Sequence, residues 1–396
     1  VALALLLVAL ASSQADEELR ARAARIHRDA IVLDTHADLT PFIMIDTKPP
    51  EITDPGMSGP FYDPAEDLRH QPIRSAWMMG LPSEPWDFRA RHDEGYMDLP
   101  RLQDGGVDAQ FFAVYMDREP RPGMAITRAL RQIDSIHALA DKHPEIALAT
   151  TAEGVRAAAK AGLIAALIGV EGGYMIEDDI RVLRMFHKLG VRYMSLTHSF
   201  NTHWADSSGT GRPVPPRHEG LSPFGTEVVK EMNRLGMVVD VSHVADTTFF
   251  DAVGVSEAPV MASHSSVDGV KDHARNMSDE MLRALARNGG VIQINAVIKY
   301  IDPLDRGDDT PISVFIDHVA HAIEVAGEDH VGLGLDYGYD SPAPKDLEHI
   351  GKLGNVTYEL LKRGYSEETI RKVLGENTLR VMTEAENVAR RLAQAP

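Results

Sequence analysis

Ile31-Val32-Leu33-Asp34-Thr35-His36-Ala37-Asp38 opens as an apolar run with β-branched residues and closes on an imidazole and a carboxylate two residues apart. Side chains alternate between faces along an extended backbone, so a strand over Ile31 to Asp38 places His36 and Asp38 on one face, where both can chelate one cation. The same shape returns along the chain. Further strands are predicted over Val107 to Tyr115, Leu163 to Glu171, Val191 to His198, Met237 to His243, Val260 to His264, Gly290 to Asn295 and Val331 to Asp336. Between them lie stretches with apolar residues at three- and four-residue spacing: Ala125 to Lys142, Ile176 to Leu189, Thr226 to Leu235, Ser278 to Arg287 and Ser313 to Val325. Gly190, Gly236 and Gly289 stand where three of those helices should stop. Eight strands alternating with helices predict an α/β fold, a (β/α)8 TIM barrel.

The residues closing these strands decide the chemistry. Glu171 ends the third strand, His198 the fourth, His243 the fifth, His264 the sixth and Asp336 the eighth. In a parallel barrel those ends converge on one mouth, where such folds place their active sites. Taken singly, a strand-end histidine reads as a hydrogen-bonded packing residue and Glu171 as a paired buried acid. Together they read as a metal site, because several unpaired acids and imidazoles are costly to bury without a cation. Glu171, between Val170 and Gly172-Gly173, is placed to bridge two ions.

Composition narrows the field. A net charge of −19 leaves no basic face for a nucleic acid, and the absence of cysteine removes disulfides, thiolate ligands and a cysteine nucleophile. Any metal therefore rests on nitrogen and oxygen. Ser195 and Ser263 lack the glycine-flanked turn of a serine nucleophile, and Gly332-Leu333-Gly334 lacks a dinucleotide fingerprint. His137, His143, His187, His318 and His321 fall on helical patterns and read as surface or packing residues.

Residues 1–15 read as the remnant of a signal peptide, since Val1 to Ala11 is apolar, too short to span a bilayer and followed by Asp16-Glu17-Glu18. Export to the periplasm or the extracellular space is the expectation, and no transmembrane segment is expected. Residues 16–396 read as one catalytic domain. Pro41 to Leu99, rich in proline, glycine and aromatic residues, interrupts the alternation after the first strand as a long insertion, either a functional loop or lid or a separately folded decoration.

In this order, His36-Ala37-Asp38-Leu39, Gly169-Val170-Glu171-Gly172, Leu196-Thr197-His198 with Asn201 to Asp206, Asp240-Val241-Ser242-His243, Ser263-His264-Ser265, Arg275-Asn276 and Gly334-Leu335-Asp336 form a specific pattern. The chain resembles the renal or membrane dipeptidases, peptidase family M19, over nearly its whole length after the leader, and the resemblance implies a barrel of the amidohydrolase-like, metal-dependent hydrolase type. The resemblance implies two zinc ions: one on His36 and Asp38, the other on His243 and His264, with Glu171 bridging. It implies that Asp336 accepts the proton, that His198 contacts the scissile group, and that Arg275 pairs with the substrate carboxylate with Tyr300 close by. The implied reaction is hydrolysis of the peptide bond of a dipeptide by a hydroxide bridging the metals, in a homodimer. Leu335 and Tyr337 around Asp336, His203 in Asn201 to Asp206, and Ala37 depart from the usual family residues and bear on pocket shape. Two alternatives remain on the same fold: hydrolysis of another small amide or a lactone, and a non-catalytic maturation or binding protein.

Overall fold

The computed structural model describes residues 2–39, 87–93, 95–116, 123–211, 214–338 and 342–394. Ten strands lie among them: β1 Leu33–Ala37, β2 Ala109–Val114, β3 Ile146–Leu148, β4 Ile164–Val170, β5 Val191–Ser195, β6 Val238–Asp240, β7 Met261–Val267, β8 Asn276–Met277, β9 Val291–Ile294 and β10 Val331–Leu333. Eight of them run parallel in the order β1-β2-β4-β5-β6-β7-β9-β10, while β3 pairs with β4 and β8 with β7 outside that path. The sheet closes where its first and last strands meet. Asp336 N donates to His36 O at 3.2 Å and Asp38 N to Tyr337 O at 3.0 Å. Leu335 N donates to Asp34 Oδ1 at 2.7 Å across 301 residues of sequence.

Successive residues of a strand enter different apolar layers, as the period of two requires. Phe111, Leu167, Tyr193 and Met261 pack with Leu379, Met382 and Ala385 of the helix Asn377–Gln394. Phe112, Ile168, Met194 and Ala262 pack outward with Ile133, Leu183, Val228 and Leu282 of the surrounding helices. The C-terminal helix seals the foot of the barrel: Arg380 donates to Gly289 O at 2.6 Å, just ahead of β9. The interior is therefore packed below and opens at the carboxyl ends of the strands.

Seven of the eight barrel strands fall inside the predicted ones but are shorter, while β7 runs three residues past its predicted end at His264, and these differences move the site residues. Glu171 follows β4 directly, His198 and His243 each lie three residues past their strands, and Asp336 lies three past β10, while His36 and His264 sit within β1 and β7. His243 and Asp336 adopt left-handed backbone conformations, φ 66° and 58°. That turn costs a side-chain-bearing residue roughly 1–3 kcal/mol and swings each side chain into the mouth.

Helix ends follow local chemistry. Ser222 caps the helix Pro223–Leu235 by accepting from Gly225 N, and Gly236 ends it at φ 75°. Ser278 and Gly289 do the same for Asp279–Asn288. The stretch predicted as a helix from Ile176 starts instead at Ile180, because the Asp179 carboxylate caps it there; Gly173–Ile176 forms a separate short 3-10 turn. His143 ends the helix Ala125–Lys142 and is buried, and Tyr300 lies in the one-turn helix Ile298–Ile301.

The helix Ala2–Asp29 includes the apolar stretch up to Ala11 and buries Ala23, Ile26 and His27 near its end. His27 hydrogen-bonds Thr357 Oγ1 at 2.7 Å and Gly105 O at 2.8 Å. No helix among the described residues is long and apolar enough to cross a membrane. Most of the predicted insertion, residues 41–86 and 94, lies outside the described residues. Toward its end, residues 87–93 and 95–99 are described, and Asp98 caps the helix Leu99–Asp104. Just before it, Tyr96 stacks on Tyr337 with centroids 5.4 Å apart, against the neighbour of Asp336.

Candidate metal centre

Glu171 is the hub. Its Oε1 lies 2.9 Å from His243 Nε2, 3.2 Å from His264 Nε2, 3.5 Å from His198 Nε2 and 3.8 Å from His36 Nε2. His36 Nε2 also lies 3.3 Å from Asp38 Oδ1 and 4.0 Å from Asp336 Oδ1. The side chains form three overlapping ligand groups, each within 4.8 Å: His36, Glu171 and His264; Glu171, His198 and His243; His36, Asp38 and Asp336. The five predicted ligands and Asp336 thus come together, and His198 joins them facing Glu171 rather than standing apart.

The charges in this cluster explain one another. Burial pushes the Glu171 carboxyl up, but the charges of His198 and His36 and the hydrogen bonds from His243 and His264 outweigh it and hold it well below the ordinary range. Burial pulls His36 down, yet Glu171, Asp38 and Asp336 raise it to about 10. His243 and His264 are pushed well below the ordinary imidazole range, first by burial, then by the Arg275 and His36 charges respectively. Two neutral imidazoles beside an ionised carboxylate are the protonation states that metal ligation needs. Burial raises the Asp336 carboxyl, His36 opposes this, and Asp38 and Glu171 add to it.

The donor set fits divalent cations. His243 Nε2 and His264 Nε2 stand 2.8 Å apart with both rings buried, and Glu171 Oε2 is buried with no hydrogen-bond partner among the described residues. A buried carboxylate oxygen left unpaired costs free energy that a cation would recover.

Arg275, 3% exposed, donates to His264 O at 3.0 Å, and its guanidinium lies 5.8 Å from the Tyr300 ring centroid. Among the described residues no carboxylate pairs with it. An unmatched buried cation at the mouth of the site is suited to an anionic ligand. His203, one of the departures from the family pattern, is exposed and paired with Asp178 Oδ2 at 2.6 Å. His318 is buried between Val267 N and Ile301 O, and His321 bonds Asp279, so both are packing residues as predicted.

Three residues stand behind the ligands; Asp240 and Ser263 entered the sequence reading only as parts of the family pattern, Ser263 also as a poor nucleophile candidate, and Tyr193 was not singled out at all. The Tyr193 hydroxyl lies 2.8 Å from His36 Nδ1 and donates to Thr35 O at 3.1 Å. Ser263 Oγ lies 2.8 Å from His264 Nδ1 and donates to Asp240 Oδ2 at 2.6 Å. The available signal was Gly169 two residues before Glu171: a Cβ there would come 2.0 Å from the Tyr193 ring.

A parallel barrel with carboxylates and imidazoles gathered at its C-terminal mouth defines a metal-dependent hydrolase. Residues 20–396 match the family model described as membrane dipeptidase, peptidase family M19. The chain belongs to that family. It is 39% identical over 313 residues to Dipeptidase aclJ of Aspergillus oryzae, covering 76% of this chain and 73% of that protein. Its fold is similar to the probable dipeptidase PvdM from Pseudomonas aeruginosa, with a TM-score of 0.77 at 21% identity over 94% of this chain and all of that one. It is also similar to a metallopeptidase from Rhodobacter sphaeroides liganded with a phosphinate mimic of the dipeptide L-Ala-D-Ala, with a TM-score of 0.73 at 23% identity over 90% of this chain and all of that one.

Proposed function

We propose that this chain is a two-zinc dipeptidase, in which His36 and Asp38 hold one ion, His243 and His264 hold the other, and Glu171 serves both. The observation that carries the reading is four imidazole Nε2 atoms within 3.8 Å of one carboxylate oxygen whose partner oxygen is buried and has no hydrogen-bond partner among the described residues. Nitrogen and oxygen ligands without thiolate suit zinc. Bound there, such ions supply an acidified water and polarise the peptide carbonyl.

The protein's own groups do the rest. Arg275 receives the substrate's terminal carboxylate, with Tyr300 beside it. His198, at the rim of the cluster, donates to the carbonyl oxygen as negative charge develops there, a contribution of about 3 kcal/mol for one well-placed donor. Asp336, with its raised proton affinity, takes the proton from the attacking water and returns it to the leaving amine. A third residue would carry the terminal carboxylate past the guanidinium, so dipeptides are preferred.

The 39% identical relative named a dipeptidase, and a metallopeptidase of similar fold liganded with a dipeptide mimic, support this substrate class. The test is metal analysis of purified protein with assays on dipeptides, tripeptides, N-acyl amino acids and lactones. Two zinc ions per chain with hydrolysis confined to dipeptides is the expected result. Hydrolysis of only lactones or acyl amides would reject the substrate assignment. Export is proposed from the apolar Val1 to Ala11 run and is tested by cell fractionation.

A further inference from the structure

Two histidines in the cluster are held from behind by hydroxyls that have only one hydrogen to give. Tyr193 spends its hydrogen on the Thr35 carbonyl at 3.1 Å, so at 2.8 Å from His36 Nδ1 it must accept. Ser263 spends its own on Asp240 Oδ2 at 2.6 Å, so toward His264 Nδ1 at 2.8 Å it must also accept. Asp240 cannot reverse this. Its Oδ1 accepts Ser242 N at 3.0 Å and Ser263 N at 2.8 Å, and its Oδ2 accepts the hydroxyls of Ser195 and Ser263, so both oxygens are occupied by donors. Each imidazole is thereby obliged to carry a hydrogen on Nδ1, which leaves Nε2, the nitrogen facing Glu171, as the one a metal ion would take.

We propose that Tyr193 and the Ser263–Asp240 pair are positioning residues, each fixing the tautomer and ring direction of one metal-ligating histidine, one device for each ion. The proposal rests on the two-ion reading above. It uses different anchors at the two ligands: a neutral backbone carbonyl behind His36 and a carboxylate behind His264. A carboxylate behind the hydroxyl strengthens the acceptor more, so the Ser263–Asp240 device raises ligand basicity further than the Tyr193 device. The fold also makes room for Tyr193. A Cβ on Gly169 would lie 2.4 Å from its hydroxyl oxygen as well as 2.0 Å from its ring, so the strand that presents Glu171 is kept bare beside the tyrosine.

The test is zinc titration against a chromophoric chelator, which resolves the two ions on the wild-type chain, repeated on Tyr193→Phe and Ser263→Ala. Tyr193→Phe should weaken one ion by about 10- to 100-fold and leave the other unchanged, and Ser263→Ala should do the reverse. Gly169→Ala should reproduce the Tyr193→Phe pattern by displacing the ring. Unfolding curves of the chelator-treated proteins identify any variant that fails to fold, and Ser263→Thr, which keeps a hydroxyl, should restore the second ion. Two ions on the wild type with unchanged affinities in both variants, or an equal loss at both ions in either, overturns the proposal. Fewer than two ions on the wild type instead overturns the two-ion reading, and the division of labour between the devices falls with it.

Discussion

Arg275→Met separates substrate recognition from stability. The guanidinium is 3% exposed, gives one hydrogen bond to the His264 carbonyl, and faces no carboxylate among the described residues. A substrate carboxylate arriving there forms a desolvated ion pair, and deleting one member of such a pair costs about 2–5 kcal/mol. Taking about 3 kcal/mol, at about 1.4 kcal/mol per tenfold, kcat/KM for a free dipeptide should fall by a little more than a hundredfold. The wild type should disfavour a C-terminally amidated dipeptide by a similar factor, whereas the variant should treat acid and amide alike. Replacing an unpaired buried charge with an apolar side chain of similar length should also leave the unfolding temperature unchanged or raised. The assay is kcat/KM for one dipeptide and its amide on both proteins, with thermal unfolding alongside. An acid-to-amide preference that survives the substitution refutes the reasoning.

Asp336→Asn should reduce kcat by two orders of magnitude or more, in line with about 10²–10⁴-fold for a positioned acid–base group, while zinc content stays near that of the wild type; normal turnover would remove Asp336 from proton transfer. Stripping the ions with a chelator should lower unfolding free energy by about 2.7 kcal/mol per ion relative to protein in zinc at a hundred times its dissociation constant, and refilling should restore it; equal unfolding curves would argue against ions at this site. His318, pushed down to about 4 by burial, accepts from Val267 N and must stay neutral in the fold. The unfolded chain takes up a proton below about 6.5 and the fold only below about 4. Stability should therefore be whole above that upper value and fall by up to about 3 kcal/mol as pH drops through the window. Denaturant unfolding of wild type and His318→Gln at pH 7.5 and 4.5 checks this, and an identical pH loss in both would exclude His318 as its source.

The strands and their polar endings were legible because burial writes them into the sequence. Runs such as Leu163 to Val170 are apolar at every position, and the first charged residue after them marks the barrel mouth. Extent was less legible: His198, His243 and Asp336 belong to turns beyond the strands, and nothing in Val241-Ser242-His243 announces a left-handed backbone at the histidine. The helix start at Ile180 was missed because Asp179 looks like one more charge until its carboxylate is seen to accept Arg181 N. Tyr193 was invisible for a different reason. It sits in Val191-Arg192-Tyr193-Met194, an ordinary strand pattern, and its meaning comes only from β1 and β4 meeting it in space. The predicted insertion apart from its last few residues lies outside the described residues.

The seam joining Asp34, His36 and Asp38 to Leu335, Asp336 and Tyr337 has a consequence for biogenesis. A nascent chain emerging from the ribosome exposes its first ligands some three hundred residues before it can offer Asp336 and the backbone that closes over them. Without the final strand, His36 and Asp38 would lie at an open sheet edge, and a metal site of the proposed kind would be complete only once Asp336 and its backbone dock. Selective loading would then wait for that docking, and for an exported chain the ions acquired would be those of the compartment where folding finishes.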